Sequence, residues 1–111
     1  MILFLIPLGC ATDAPETDTG FCSDAPVATY HSFGAGFLQE HCQSCHASSA
    51  PNRNGAPEGI RFDDESLASA HYAQILSTAG SDSPTMPPQG GITEGDKAML
   101  NYWLLCEEGL R

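Results

Sequence analysis

At 111 residues the chain has room for one small domain, so a single core is expected, and cores of this size often depend on disulfides, a metal or a cofactor. Four Lys and Arg residues against fourteen Asp and Glu residues give a net charge of -10, and no basic run could neutralise phosphates, so nucleic acid is not an expected partner. The acidity opposes binding to anionic lipid surfaces, favours solubility, and fits electrostatic steering toward a basic patch on a partner protein.

The chain begins with the apolar run MILFLIPLGC, which is much shorter than the roughly 20 residues that a membrane-spanning helix needs. Residues 1–10 resemble the end of a bacterial lipoprotein signal peptide, in which the cysteine after a Leu-Gly pair is lipidated and becomes the mature N-terminus. The resemblance implies an exported protein that a lipid on Cys10 holds on the periplasmic side of a bacterial membrane. A cleaved signal peptide without lipid and an ordinary N-terminal segment are the alternatives.

Residues 11–28 are rich in Asp, Glu, Thr, Pro and Ala and contain few large apolar groups, which predicts an acidic flexible tether. The folded domain is expected at residues 29–111. Its first helix is predicted to begin with Ser32 as N-cap and to run to His41, directly before the motif CQSCH. Residues 47–60, which contain Pro, Gly and Asn but no periodic apolar pattern, predict a loop.

Two further helices are predicted in the second half of the chain. Asp63 or Asp64 is the expected N-cap of the second helix, and Thr93 opens the third, which ends near Gly109. Between them, three prolines and three glycines in residues 80–91 predict a loop. The apolar faces recur at helical spacing through Leu67, Ala68, Tyr72, Ile75, Leu76 and Ala79 in the second helix, and through Met99, Trp103, Cys106 and Leu110 in the third. No stretch alternates with period two, so the predicted fold class is all-α, with three main helices and long loops.

The stretch HCQSCH contains the most informative pattern in the chain. Cys42, Cys45 and His46 form C-x-x-C-H, the attachment signature of c-type haem, in which two thiols bond the porphyrin vinyl groups and the next imidazole binds the iron. A structural zinc site usually needs a second pair of Cys or His ligands, and the chain has no second C-x-x-C or H-x-x-x-H. A thioredoxin-like dithiol normally follows a strand in a βαβ unit, which is not predicted here. Haem is therefore favoured, with zinc and dithiol chemistry as the alternatives.

The arrangement resembles a bacterial class I mono-haem cytochrome c. Members of that family share a helix before C-x-x-C-H, a middle helix, a loop that carries a Met ligand before Pro, and a closing helix with an aromatic residue packed on the first. The corresponding segments are residues 33–41, 64–78, 85–88 and 93–108, the last with Tyr102 and Trp103. The resemblance covers about residues 30–110 and implies a small cytochrome c fold around one covalently bound haem c.

The resemblance also implies the axial ligands of the haem iron, which are His46 and Met86 here. Met1 is lost with the signal segment, and Met99 lies among core positions of the third helix, where a methionine usually fills space. Pro87 and its neighbour restrict the loop after Met86 to an extended path, which suits a segment lying over a haem face. His71 is the alternative for the second ligand position.

Four other polar residues near these segments have expected roles. His41 is expected on the surface of the first helix, and His31 in solvent. Arg53 and Arg61 are the only cations in the loop after the motif. Each is a candidate contact for a haem propionate, with an ordinary surface position as the alternative.

The five cysteines divide into three groups under this interpretation. Cys42 and Cys45 hold haem, and Cys10 carries lipid. Cys22 and Cys106 then remain as a pair, and in an exported, oxidising setting such a pair suggests a disulfide. It would close a loop of about 85 residues and, in the loop-entropy model, add about 4 kcal/mol of stability.

The function implied by the resemblance is one-electron transfer between periplasmic redox proteins. An iron ligated by His46 and Met86 has no open position for a substrate, so an electron carrier is expected rather than an enzyme. A five-coordinate haem enzyme or gas sensor is the alternative if Met86 does not ligate. A zinc-binding or disulfide-scaffolded interaction protein is the alternative if haem is absent.

Overall fold

The computed structural model describes residues 19–110 as short helices joined by loops. The predicted signal segment with Cys10 and residues 11–18 of the predicted tether lie outside the described residues. Residues 19–110 contain no strand, so the all-α prediction is confirmed. No helix in that range has both the length and the apolar character that crossing a bilayer requires. The helices are α1 (Thr19–Ser23), α2 (Ala35–His41), α3 (Gln43–His46), α4 (Glu65–Ser69), α5 (Tyr72–Ala79) and α6 (Glu94–Asn101), with π-helical segments Tyr30–Gly34 before α2 and Tyr102–Glu107 after α6.

The first main helix begins earlier than the sequence predicts. Thr29, not Ser32, is the N-cap: its hydroxyl accepts from the Ser32 backbone N–H at 3.0 Å, and the Ser32 hydroxyl accepts from the Thr29 N–H at 2.9 Å. This reciprocal pair is a capping box in which serine occupies the position usually taken by Glu or Gln. The earlier start adds the π-helical turn that carries Tyr30 and Phe33 toward the core.

The predicted middle helix is divided in two. Asp64 caps α4 as expected, because its carboxylate accepts from the Leu67 N–H at 2.9 Å. The helix ends at Ser69, and α5 starts after His71, whose φ of -122° lies outside the helical region. The two pieces therefore do not share one continuous face, and Leu67, predicted on the buried stripe, is exposed.

The closing helix is capped by Thr93 as predicted, since the Thr93 hydroxyl accepts from the Asp96 N–H at 3.0 Å. It continues through the π-helical segment Tyr102–Glu107. The fully buried positions are Leu100, Trp103 and Leu104, whereas Met99 is only partly buried. A π-helical turn holds more residues than an α-helical one, so the buried face departs from the stripe that regular spacing predicts.

Trp103 lies at the centre of the core. It is completely buried, and its ring packs on Tyr72 at a centroid distance of 5.0 Å and on Tyr30 and Phe33 at 6.2 Å. The closing helix is thereby held against both the first helix and α5. The core as a whole consists of Ala28, Phe37, Leu38, Phe62, Ala68, Tyr72, Ile75, Ala79, Leu100, Trp103 and Leu104.

Helix α1 falls within the range predicted as tether, yet it packs on the closing helix. The rings of Phe21 and Tyr102 lie 5.0 Å apart, and the sulfurs of Cys22 and Cys106 are at bonding distance, 2.00 Å, with Cα atoms 5.5 Å apart. Residues 19–23 thus belong to the folded domain.

Replacing both Cys22 and Cys106 by serine is expected to lower the free energy of unfolding by about 4 kcal/mol, because the bond restricts the unfolded chain over a separation of 84 residues. Denaturant unfolding of the oxidised wild type and the double variant measures the difference, and reduction of the wild type should reproduce it. Peptide mapping without reduction should recover the two cysteines linked. Free thiols at both positions in the oxidised protein would contradict the assignment.

Candidate cofactor site

One cavity of about 300 Å³ brings together segments that are far apart in the sequence. Its volume is at the lower end of the range for small-molecule and cofactor sites, about 300–1,000 Å³. Of the residues singled out from the sequence, it is bordered by Cys42, Cys45, His46, Arg53, Met86, His41 and His71. Arg61 does not border it, and neither does the Cys22 and Cys106 pair. Apolar groups make up much of the remaining wall: Ile60, Phe62, Ile75, Ala79, Pro87 and Pro88.

The C-x-x-C-H motif forms a separate helical turn at one end of the cavity. Cys42, with φ of -125°, ends α2 and begins α3, and its carbonyl accepts from the N–H groups of Cys45 at 3.2 Å and His46 at 2.9 Å. The turn exposes all three motif side chains partly, and each borders the cavity. The two cysteines are free thiols. The turn thus presents both thiols and the imidazole to one space.

Two observations bear on the alternatives to haem: the pKa of Cys42 bears on a redox dithiol, and the grouping of ligand atoms bears on zinc. Burial, together with the neighbouring Cys45, raises the pKa of the Cys42 thiol to about 12. A redox dithiol depends on a lowered thiol pKa, so this environment is opposite to the one such chemistry uses. Among residues 19–110, the one set of three candidate ligand atoms within 4.8 Å of one another is Glu40, His41 and Asp96, so Cys42, Cys45 and His46 do not form a preassembled zinc site.

His46 is held in a single orientation by the loop that follows the motif. Its Nδ1–H donates to the Ile60 carbonyl at 3.0 Å, its ring stacks on Phe62 at a centroid distance of 4.6 Å, and its own carbonyl accepts from the Phe62 N–H at 3.2 Å. Gln43 also donates its side-chain amide to the Phe62 carbonyl. Because the carbonyl fixes the proton on Nδ1, the Nε2 lone pair is left to bind a metal, which is the usual arrangement of an iron- or zinc-bound histidine.

The Arg53 side chain holds this loop together by hydrogen bonds to the loop's backbone carbonyl groups. The guanidinium donates to four carbonyl groups, those of Ala47 at 2.9 Å, Ala56 at 3.3 Å, Pro57 at 2.7 Å and Ile60 at 3.2 Å. The Ile60 carbonyl is therefore shared between Arg53 and His46. These hydrogen bonds use four of the five N–H groups of the Arg53 guanidinium, so at most one is left for the predicted contact with a propionate.

Arg61, the other predicted propionate contact, lies outside the cavity. Its Nε donates to the Glu58 carbonyl at 2.7 Å, and one terminal nitrogen donates to the Ser48 hydroxyl at 3.3 Å. Both arginines thus hold the loop after the motif. The sequence shows two cations in a loop, but it does not show which carbonyl groups the folded loop turns toward them.

Met86 approaches the cavity from the Pro-rich loop. The Thr78 carbonyl near the end of α5 accepts from the N–H groups of Thr85 at 2.8 Å and Met86 at 3.1 Å, which fixes the loop to the helix. Pro87 is buried, whereas the Met86 residue is 40% exposed although it is large and apolar. A partly uncovered thioether at the edge of an apolar cavity is available as a ligand.

Three of the four histidines border the cavity, namely His41, His46 and His71. His71, the alternative ligand, does so with its Nδ1 at 2.8 Å from the Gln74 side-chain oxygen and its ring edge-on to Phe62 at 6.0 Å. His31 is exposed, as expected. The expectation that His41 lies on the helix surface is wrong: its side chain is only 9% exposed, because it packs on Phe37 and lies against the closing helix.

Comparison with known proteins gives no match: no protein-family model, curated protein or solved structure is similar enough to assign the chain. The residues that border the cavity can nevertheless be tested against a haem group. Two free thiols, an imidazole with a free Nε2, a partly uncovered thioether and apolar walls are the donors and the surface that a covalently bound haem requires. The residues present therefore fit that cofactor.

Proposed function

We propose that this protein is a one-electron carrier, a class I mono-haem c-type cytochrome in which Cys42 and Cys45 hold the haem through thioethers, and His46 and Met86 ligate its iron. The observation that supports it is that the C-x-x-C-H turn and the Met86 loop border one cavity with apolar walls. The finer assignment to a cytochrome c fold rests on the resemblance of the sequence and the order of helices around this cavity.

When bound, the haem supplies a metal centre that alternates between Fe(III) and Fe(II). The protein residues keep the structural change in that reaction small. His46 is fixed by the Ile60 carbonyl and by stacking on Phe62, so its ring has little freedom to reorient. The Thr78 carbonyl fixes the loop that carries Met86. In the holoprotein Met86 would hold the haem iron together with His46 and would keep water and substrates away from it.

The charge of the chain and its N-terminal segment bear on its partners and its location. The net charge of -10 favours redox partners that offer a basic docking patch, because opposite charges accelerate the encounter. The apolar N-terminal run and Cys10 favour export and a lipid anchor on the periplasmic side of the membrane, through which the carrier would work near membrane-bound partners.

Replacing Met86 by alanine is the experiment that separates a carrier from a haem enzyme. Wild type, expressed with haem-maturation machinery, is expected to show the weak far-red absorption band of Met-ligated ferric haem and to bind cyanide slowly, since a ligand must leave first. The Met86→Ala variant should lack the band, bind carbon monoxide readily when reduced, and have a lower reduction potential, because the soft ligand that favours Fe(II) is lost.

His71→Ala is the matched control, since His71 borders the same cavity. It should change neither the band nor ligand binding. If His71→Ala opens the iron while Met86→Ala leaves the spectrum unchanged, the two axial ligands are histidines. If wild type already binds carbon monoxide at an open position, the five-coordinate enzyme or sensor replaces the electron carrier.

A further inference from the structure

A second group of ligand-type side chains lies where α2 meets α6. His41 Nε2 is 3.6 Å from an Asp96 carboxylate oxygen and 3.9 Å from a Glu40 carboxylate oxygen. The three ligand atoms all lie within 4.8 Å of one another. Glu40 and His41 come from the last turn of α2, and Asp96 from the first turn of α6, so the cluster bridges the two helices.

His41 distinguishes this cluster from an ordinary group of surface charges. Its side chain is more than nine-tenths buried, and its Nε2 has no hydrogen-bond partner. A buried polar nitrogen without a partner is uncommon because it has lost its contact with water without a replacement. Both carboxylates face this nitrogen, but at 3.6 and 3.9 Å they are too distant to accept a hydrogen bond from it.

We propose that Glu40, His41 and Asp96 form a binding site for a divalent transition-metal cation, with Zn²⁺ as the best-fitting ion. An imidazole nitrogen and carboxylate oxygens bind Zn²⁺ at about 2.0–2.2 Å, which places neighbouring ligand atoms of a tetrahedral site roughly 3.3–3.6 Å apart. The 3.6 and 3.9 Å separations from His41 need only a small contraction, and the two carboxylate oxygens, within 4.8 Å of each other, would also have to draw together. Two carboxylates neutralise the ion, and a water molecule completes four-coordination.

The solvent exposure of the two carboxylates leaves them room for that contraction. The side chain of Glu40 is 71% exposed and that of Asp96 is 40% exposed, so both can adjust while His41 stays fixed by the core. Imidazole among the ligands favours Zn²⁺ over Mg²⁺ and Ca²⁺, which prefer oxygen alone. A bound ion would link the helix that leads into the C-x-x-C-H motif to the closing helix, and it would therefore stabilise their packing.

Calorimetric titration with Zn²⁺ tests the site, and the proposal does not depend on the haem assignment. The titration uses the protein with haem on Cys42 and Cys45 or, if no haem is found, with these thiols alkylated, so that they cannot bind the ion. Wild type is expected to bind one Zn²⁺ and to unfold at a higher temperature in its presence. Asp96→Asn and Glu40→Gln should each lower the affinity at least about tenfold, as should His41→Gln.

The exposed pair His31 and Glu65, 3.8 Å apart, provides the control. His31→Gln removes a histidine near one carboxylate but not near two, so it should leave Zn²⁺ affinity and the unfolding temperature shift unchanged. Mg²⁺ at the same concentration should produce neither signal. The proposal is overturned if wild type binds no Zn²⁺ under these conditions, or if Asp96→Asn and Glu40→Gln bind it as tightly as wild type does. Because both of these residues are at the surface, their variants remain informative even if His41→Gln fails to fold.

Discussion

Replacing Cys42 and Cys45 together by alanine is expected to abolish covalent haem attachment, and each single replacement is expected to weaken or abolish it. Both thiols are free and border the cavity, so each is available for one thioether. The measurement is haem-dependent peroxidase staining after denaturing electrophoresis, because only covalently held haem remains with the unfolded chain. Intact mass should show one haem per wild-type chain.

The Cys22→Ser, Cys106→Ser double variant is the matched control for that experiment, since it removes two cysteines that do not border the cavity. It should keep the stain although it is less stable. An unstained wild type after expression with haem-maturation machinery would remove the cytochrome proposal altogether. In that case Cys42 and Cys45 would be free thiols, and the alternative to examine would be the zinc-binding or disulfide-scaffolded interaction protein.

The parts of the fold and site that the sequence predicts correctly are those that depend on residues close together in the sequence. The caps at Asp64 and Thr93 are correct because a cap is a contact between a side chain and a backbone N–H only three residues away. The motif is recognisable for the same reason: its two thiols and its imidazole come from one turn. The spacing of residues along the chain is therefore enough to predict these caps and this motif.

The parts that sequence misses depend on contacts between distant segments. The break before Tyr72 allows α5 to pack on Trp103, and no residue near His71 signals it. Similarly, the four carbonyl groups that accept hydrogen bonds from Arg53 converge only when the loop is folded, so the sequence does not show them. The burial of His41 depends on where Asp96 comes to lie, which is decided by how the helices cross.

Replacing Trp103 by alanine is expected to lower the free energy of unfolding by about 3–5 kcal/mol, the usual cost of truncating a large aromatic side chain in a core. Trp103 is completely buried and contacts Tyr30, Phe33 and Tyr72, so little else can fill the space that it leaves. The measurement is denaturant unfolding of variants that carry the same amount of haem. The half-buried neighbour Tyr102 gives a control, since Tyr102→Ala should cost clearly less.

The tight packing around Trp103 can also be tested by adding volume at Gly34 instead of removing it at Trp103. A methyl group on Gly34 would lie 2.5 Å from the Trp103 ring, so Gly34→Ala should destabilise by about 1–3 kcal/mol through overpacking. Gly34 has an ordinary helical φ of -60°, so the backbone itself would accept alanine, and Gly36→Ala, with open space around it, should stabilise by up to about 1 kcal/mol. In a Trp103→Leu background the clash disappears, and Gly34→Ala should become neutral or stabilising. A Gly34→Ala effect of the same size in both backgrounds would show that the contact with Trp103 is not what selects glycine at this position.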